Sequence, residues 1–244
     1  MKPAKGELHV FDDVTALARH GAEWLTARAA ASVGRFVVAL SGGSTPKPLY
    51  EYLAQPPLRE RFPWARTELV LGDERFVPET DPASNLRMIR QAMLDHVPLP
   101  ADHMHAVSTG SFTPEEAAAG YDAMLRGLYG ADQLRPDRML LDVCLLGLGD
   151  DGHTASLIPG EPVLAERSRW VAAVGHGRSE PRVTLTYPAL ESSGAVVFLV
   201  SGDGKRAMLD HVLSGGEDVP AGRLQPQGEV LWFVDRAAAG RWAA

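Results

Sequence analysis

Short unbroken apolar runs recur along the chain, and between them apolar positions fall every three to four residues, so the pattern alternates between strand and helix from end to end. The runs predict strands over 6–11, 35–41, 67–72, 139–146, 182–187, 195–201 and 229–234. Phe36 to Leu40 and Ala195 to Val200 contain no polar residue, the mark of strands covered on both faces. Helices are predicted over 12–32, 45–54, 84–95, 113–129 and 203–213, with Leu17, Ala18, Trp24 and Leu25 sharing one side of the first. Thr113-Pro114-Glu115-Glu116 supplies an N-cap, a proline at the first helical position and a capping-box glutamate, and Thr45-Pro46 predicts a similar start. The alternation predicts an α/β architecture of parallel strands packed between helices.

Composition narrows the class of protein. The 244 residues are 45% hydrophobic and 23% charged, enough for a sizeable core and against extensive disorder. A net charge of −7 without a basic run disfavours nucleic acid and anionic membranes, so an anionic substrate needs locally placed cations. The amino terminus lacks the apolar segment of a secretory signal, and no window is apolar enough to span a bilayer, which predicts a cytoplasmic protein. The one cysteine, Cys144, lies inside an apolar run and reads as core in a reducing compartment. Pro98–Pro114 and Gly215–Gly228 read as surface loops; no repeat or linker divides the chain, and one domain over 1–244 is expected.

Candidate chemistry sits where predicted strands end. The strand through Cys144 runs into Gly147-Leu148-Gly149-Asp150-Asp151-Gly152-His153, placing two acids and a histidine at a strand's carboxyl end, where open α/β sheets hold ligands. Gly147, Gly149 and Gly152 also spell the dinucleotide fingerprint, with Glu166 near the ribose-binding distance, but Asp150 and Asp151 would repel a pyrophosphate there. Ser41-Gly42-Gly43-Ser44-Thr45-Pro46 joins a strand to a helix and gathers backbone N–H groups and hydroxyls into an anion site; Lys47 does not complete a P-loop. Arg182 at a strand start and Lys205 at a helix start are the cations that could complete it. Gly72-Asp73-Glu74-Arg75 ends another strand: Arg75 either clamps a ligand oxygen or pairs with Asp73 or Glu74, and Asn85 after Ser84 reads as a helix cap. His9, His20, His96, His103, His105, His176 and His211 lack motif context, and the alternate spacing of His103 and His105 has no third metal ligand beside it.

Four segments in consistent order, Leu-Ser-Gly-Gly-Ser-Thr-Pro, Gly-Asp-Glu-Arg-Phe-Val-Pro with Ser84-Asn85, Gly-Leu-Gly-Asp-Asp-Gly-His-Thr-Ala-Ser-Leu-Ile-Pro-Gly and Arg-Val-Thr-Leu-Thr, resemble the glucosamine-6-phosphate isomerase/6-phosphogluconolactonase family, on its lactonase side. The resemblance spans about residues 8 to 235. It implies a doubly wound, mostly parallel, Rossmann-like sheet with helices on both faces. It also implies hydrolysis of 6-phospho-D-glucono-1,5-lactone to 6-phospho-D-gluconate, a step of the oxidative pentose phosphate pathway, by a monomer or small homo-oligomer with no cofactor or metal. Carried over by residue, Ser41, Gly42, Gly43, Ser44 and Thr45 with Arg182 and Lys205 would hold the phosphate. His153, assisted by Asp151, would activate water; Arg75 would face a negative oxygen, and Asp73 would orient Arg75 or a water. The sister deaminases resemble this chain but carry a glutamate five residues past the histidine, where Ile158 stands, and a tyrosine at the position of Arg75. Both departures favour a lactonase; a phosphosugar deaminase or isomerase and a catalytically silent sugar-phosphate binder are the alternatives.

Overall fold

The computed structural model describes residues 2–110, 113–175 and 180–243. In chain order the elements are β1 (Glu7–Phe11), α1 (Val14–Ala31), β2 (Phe36–Leu40), α2 (Lys47–Leu53), α3 (Leu58–Arg61), β3 (Thr67–Leu71), β4 (Asp73–Arg75) and α4 (Asn85–Ala92). Then come β5 (Met104–His105), α5 (Pro114–Tyr129), β6 (Val143–Leu146), β7 (Val171–Val174), β8 (Arg182–Leu185), α6 (Tyr187–Glu191) and β9 (Ala195–Val200). The chain closes with α7 (Arg206–Leu213), α8 (Pro220–Arg223), β10 (Glu229–Asp235) and α9 (Arg236–Ala239).

Seven strands form one parallel sheet in the order β1-β10-β9-β6-β2-β3-β5, flanked by helices. From β2 the chain builds outward to β3 and β5, then returns to lay β6 against the other side of β2 and builds outward through β9 and β10. The order therefore reverses between β2 and β6, where crossovers diverge and leave a crevice beyond the strand ends. Every residue of β2, β6 and β9 is buried, Cys144 included, as their apolar runs predict. No helix among the described residues is long and apolar enough to cross a membrane.

A second sheet, β4-β8-β7, is antiparallel and has no counterpart in the hydrophobic pattern. Its strands are three or four residues long, too short to show a period, and Arg182–Leu185 joins it rather than the main sheet. The segment 139–146 enters the sheet only at Val143, because the N–H groups of Leu140 and Leu141 both reach the Ser192 carbonyl instead of a ladder. The α5 start is as predicted: Thr113 and Glu116 form a reciprocal capping box behind Pro114. Thr45 does not cap α2; Pro46 occupies that position and the Thr45 hydroxyl turns to Ser201 Oγ at 3.0 Å. The loops read at 98–114 and 215–228 contain β5 and α8, and residues 111 and 112 of the first lie outside the described residues.

One buried carboxylate fastens β4 to α4. Glu74 Oε1 accepts the N–H groups of Arg75 and Asn85, each at 2.7 Å, while Oε2 accepts Leu86 N–H at 2.8 Å and the Ser84 hydroxyl at 3.2 Å. Burial pushes this carboxyl up from its ordinary range against the pull of those three backbone N–H groups. A carboxyl raised in the folded state takes up a proton on folding. Its contribution to stability is therefore full below the unfolded value and declines as pH climbs through the raised folded one. Glu74→Gln removes that slope and turns an amide nitrogen toward backbone donors it cannot accept. The expected loss is about 1–3 kcal/mol, read from urea midpoints followed across the weakly acidic range.

Candidate active site

The crevice at the reversal is a cavity of about 280 Å³. Its walls include Ser41 to Pro46 after β2, Asp73 and Arg75 on β4, Asn85 on α4, Gly147 to Asp150 and His153 after β6, Arg182 on β8, and Ser201 and Lys205 beyond β9. The Ser-Gly-Gly-Ser-Thr loop, Arg75, Asp73, Arg182, Lys205 and His153 are thus brought together from five separate segments. Asp151 stands behind the histidine: its Oδ1 lies 2.5 Å from His153 Nδ1 and accepts His153 N–H at 3.1 Å. Burial alone would raise the Asp151 carboxyl, but the hydrogen bonds from the histidine ring and backbone outweigh it and hold the carboxyl below its usual range. An anionic acceptor at Nδ1 fixes the proton there and leaves Nε2 as the basic nitrogen of a neutral ring.

Of the glycines of this turn, Gly149 makes room for the histidine ring. A Cβ on Gly149 would stand 2.0 Å from His153 Nδ1, and Gly149 N–H donates to the His153 carbonyl at 2.8 Å. Glu166 is used in its own turn, accepting the N–H groups of Arg167, Ser168 and Arg169, which drive its carboxyl well below the ordinary range. It does not line the cavity.

The Ser41–Thr45 loop is clamped by a residue the motifs did not point to. Tyr50, one turn into α2 and fully buried, donates its hydroxyl to the Ser41 carbonyl at 2.8 Å and accepts Ser41 N–H at 3.0 Å. Gly43 has φ of 104°, a conformation that favours glycine. Gly42 makes room for α4: a Cβ there would lie 1.9 Å from Asn85 Oδ1. Lys47 faces away and pairs with Glu51 at 3.6 Å.

Asn85 is not the cap of α4, a task performed by Ser84, whose hydroxyl accepts Arg87 N–H at 3.2 Å. The Asn85 amide instead donates to the Asp73 carbonyl at 2.9 Å and approaches Asp73 Oδ1 at 3.4 Å. Asp73 Oδ2 accepts the Ser156 hydroxyl at 2.6 Å, and Ser156 N–H is anchored on Thr184 Oγ1 at 3.1 Å. This buried chain gives Ser156 and Thr184 a shared task, holding the Asp73 carboxylate in place. Ile158 is buried in the core and does not line the cavity.

Arg75 and Arg182 are register partners across the antiparallel β4–β8 pair. Their guanidinium groups are thereby set side by side in the cavity wall. Among the described residues neither Asp73 nor Glu74 pairs with Arg75. Its Nη1 donates to the Ala83 carbonyl at 2.7 Å, and its Nε is buried without a hydrogen-bond partner. Lys205, reached by the Gly202 turn after β9, donates to Asp150 Oδ1 at 2.5 Å. His103 and His105 share Glu68, the latter at 2.8 Å, at the opposite end of β3 from the cavity, and His176 lies outside the described residues.

A cavity at the reversal of a doubly wound sheet, lined by the Ser41–Pro46 loop, two arginines and a lysine, with a carboxylate-bonded imidazole in its wall, defines an α/β protein with the layout of a small-molecule site. The sequence profile described as glucosamine-6-phosphate isomerases/6-phosphogluconolactonase matches residues 12–232, and the chain belongs to that family. It is 40% identical over 241 residues to a 6-phosphogluconolactonase of Nostoc sp., covering 96% of this chain and 97% of that one. A rat 6-phosphogluconolactonase is 36% identical over 250 residues, covering 97% and 94% of the two chains. Among solved structures, 6-phosphogluconolactonase from Thermotoga maritima superposes with a TM-score of 0.80 at 29% identity over 95% of this chain and all of that one. The Trypanosoma cruzi 6-phosphogluconolactonase does so with a TM-score of 0.84 at 27% identity over 98% of each.

Proposed function

We propose that this protein is a single-domain lactonase that hydrolyses 6-phospho-D-glucono-1,5-lactone to 6-phospho-D-gluconate. The observation that carries the reading is the His153–Asp151 pair in the wall of a cavity whose remaining walls offer donors and cations. Relatives named 6-phosphogluconolactonase along nearly the full chain supply the substrate. In this reading the Ser41–Thr45 loop with Arg182 and Lys205 holds the phosphate, which places the lactone carbonyl toward Arg75 and His153. His153 Nε2 takes a proton from water as its oxygen attacks the carbonyl carbon, and Asp151 stabilises the imidazolium that forms. Arg75 stabilises the oxyanion; collapse of the tetrahedral intermediate breaks the bond to the ring oxygen, which takes the proton back from His153. Asp73, fixed by Ser156 and Asn85, orients the attacking water or the sugar hydroxyls. A lactone is an activated ester, so a base and an oxyanion partner suffice for its opening.

The test is the opening rate of freshly prepared 6-phosphogluconolactone with and without the protein. A rate equal to the spontaneous one overturns the proposal, and ammonia release from glucosamine 6-phosphate would favour a deaminase. Within the proposal, Arg182→Ala and Lys205→Ala should chiefly raise KM, since both act on a group that does not change during the reaction. Unchanged KM in both variants would remove them from the phosphate site.

A further inference from the structure

Asp150 is the cavity residue for which the mechanism has no use. It belongs to the turn that presents His153, yet its carboxylate points away from the histidine and meets Lys205 Nζ at 2.5 Å. The two partners differ sharply in setting: the Asp150 side chain is 81% exposed and that of Lys205 30%. An acid reaching from solvent to a cation half sunk in the wall is held loosely, because an exposed ion pair gains little over hydration. Asp73, the other acid of the cavity, is buried and tied by Ser156 and Asn85, and cannot move aside.

We infer that Asp150 is an exchangeable counter-ion for Lys205: it neutralises the lysine in the empty site and gives way when a phosphate enters, lowering affinity for every phosphorylated ligand, product included. The inference rests on the reading of this cavity as a sugar-phosphate site. Displaced from the ammonium but kept beside it by its short turn, the carboxylate stays about 4–6 Å from the phosphate, where like charges under near-water screening weaken binding by roughly threefold to tenfold. The Asp150 carboxylate therefore opposes tight retention of a phosphorylated product, and it makes entry selective for a dianion able to displace it. A purely structural role, holding the Lys205 side chain in place, predicts the opposite sign, since removing the acid would then loosen phosphate.

The experiment is a calorimetric titration of wild type and Asp150→Asn with inorganic phosphate alone, above its second ionisation, followed by inhibition constants for 6-phosphogluconate. The variant should bind phosphate about threefold to tenfold more tightly, with product inhibition and KM shifting the same way. Equal or weaker phosphate binding by the variant overturns the inference, as does a failure of phosphate to bind either protein. Because Asp150 lies at the surface, a matched melting temperature secures that the variant is folded. If the wild-type protein does not accelerate lactone opening, the proposed reaction falls, but the order of the two phosphate affinities still decides the role of Asp150.

Discussion

His153→Ala should lower kcat by about 10²–10⁴-fold while leaving 6-phosphogluconate binding within a few-fold of wild type, the range that a positioned general base supplies. The separation follows from geometry. The proposed phosphate ligands, the Ser41–Thr45 loop with Arg182 and Lys205, are fixed by Tyr50, the β4–β8 ladder and the turn after β9, none of which depends on the imidazole. Asp151→Asn leaves the ring in place but replaces the anion at Nδ1 with a neutral group, so it should retain more activity than His153→Ala. Stopped-flow proton release with the lactone in excess measures both. Full turnover in the His153 variant would assign the base to Asp73, the buried carboxylate in the cavity wall.

Much of this site was legible because its residues sit in contiguous motifs at strand ends. The apolar runs located β2 and β6, and a parallel sheet puts whatever follows such strands at one edge. What escaped the sequence is the support across long separations. Asp73 and Ser156 stand 83 positions apart, and only the folded chain places the hydroxyl on the carboxylate. Tyr50 reads as one more aromatic of a helix face, yet its hydroxyl satisfies both backbone groups of Ser41. The small antiparallel sheet was invisible for a related reason: strands of three or four residues lie below the length at which alternation shows. Its register nevertheless decides that Arg75 and Arg182 stand side by side in the cavity wall. Thr45 and Asn85 carried cap chemistry in their residue types, but a hydroxyl or amide bonds whichever partner the fold brings nearer, here Ser201 and Asp73.

The second large effect is expected from Gly149→Ala, a substitution that adds one methyl and replaces none of the proposed catalytic residues. Gly149 has no left-handed φ, so alanine fits its backbone, and the fold should survive with a melting temperature within a few degrees of wild type. The new Cβ would nevertheless stand 2.0 Å from His153 Nδ1 and 2.3 Å from Cε1, far inside contact distance. The ring must rotate away, which breaks its bond to Asp151 and moves Nε2 from the water it is proposed to activate. A misplacement of about 1 Å at a catalytic group can cost on the order of 10²-fold, so kcat should fall toward the His153→Ala value while phosphate affinity stays. Gly147→Ala is the contrast on the same turn: its Cβ would meet nothing closer than Ser41 Oγ at 4.0 Å, and it should lose far less. If Gly149→Ala kept wild-type kcat, the His153 ring would tolerate displacement, and the oriented imidazole could not be the source of the rate.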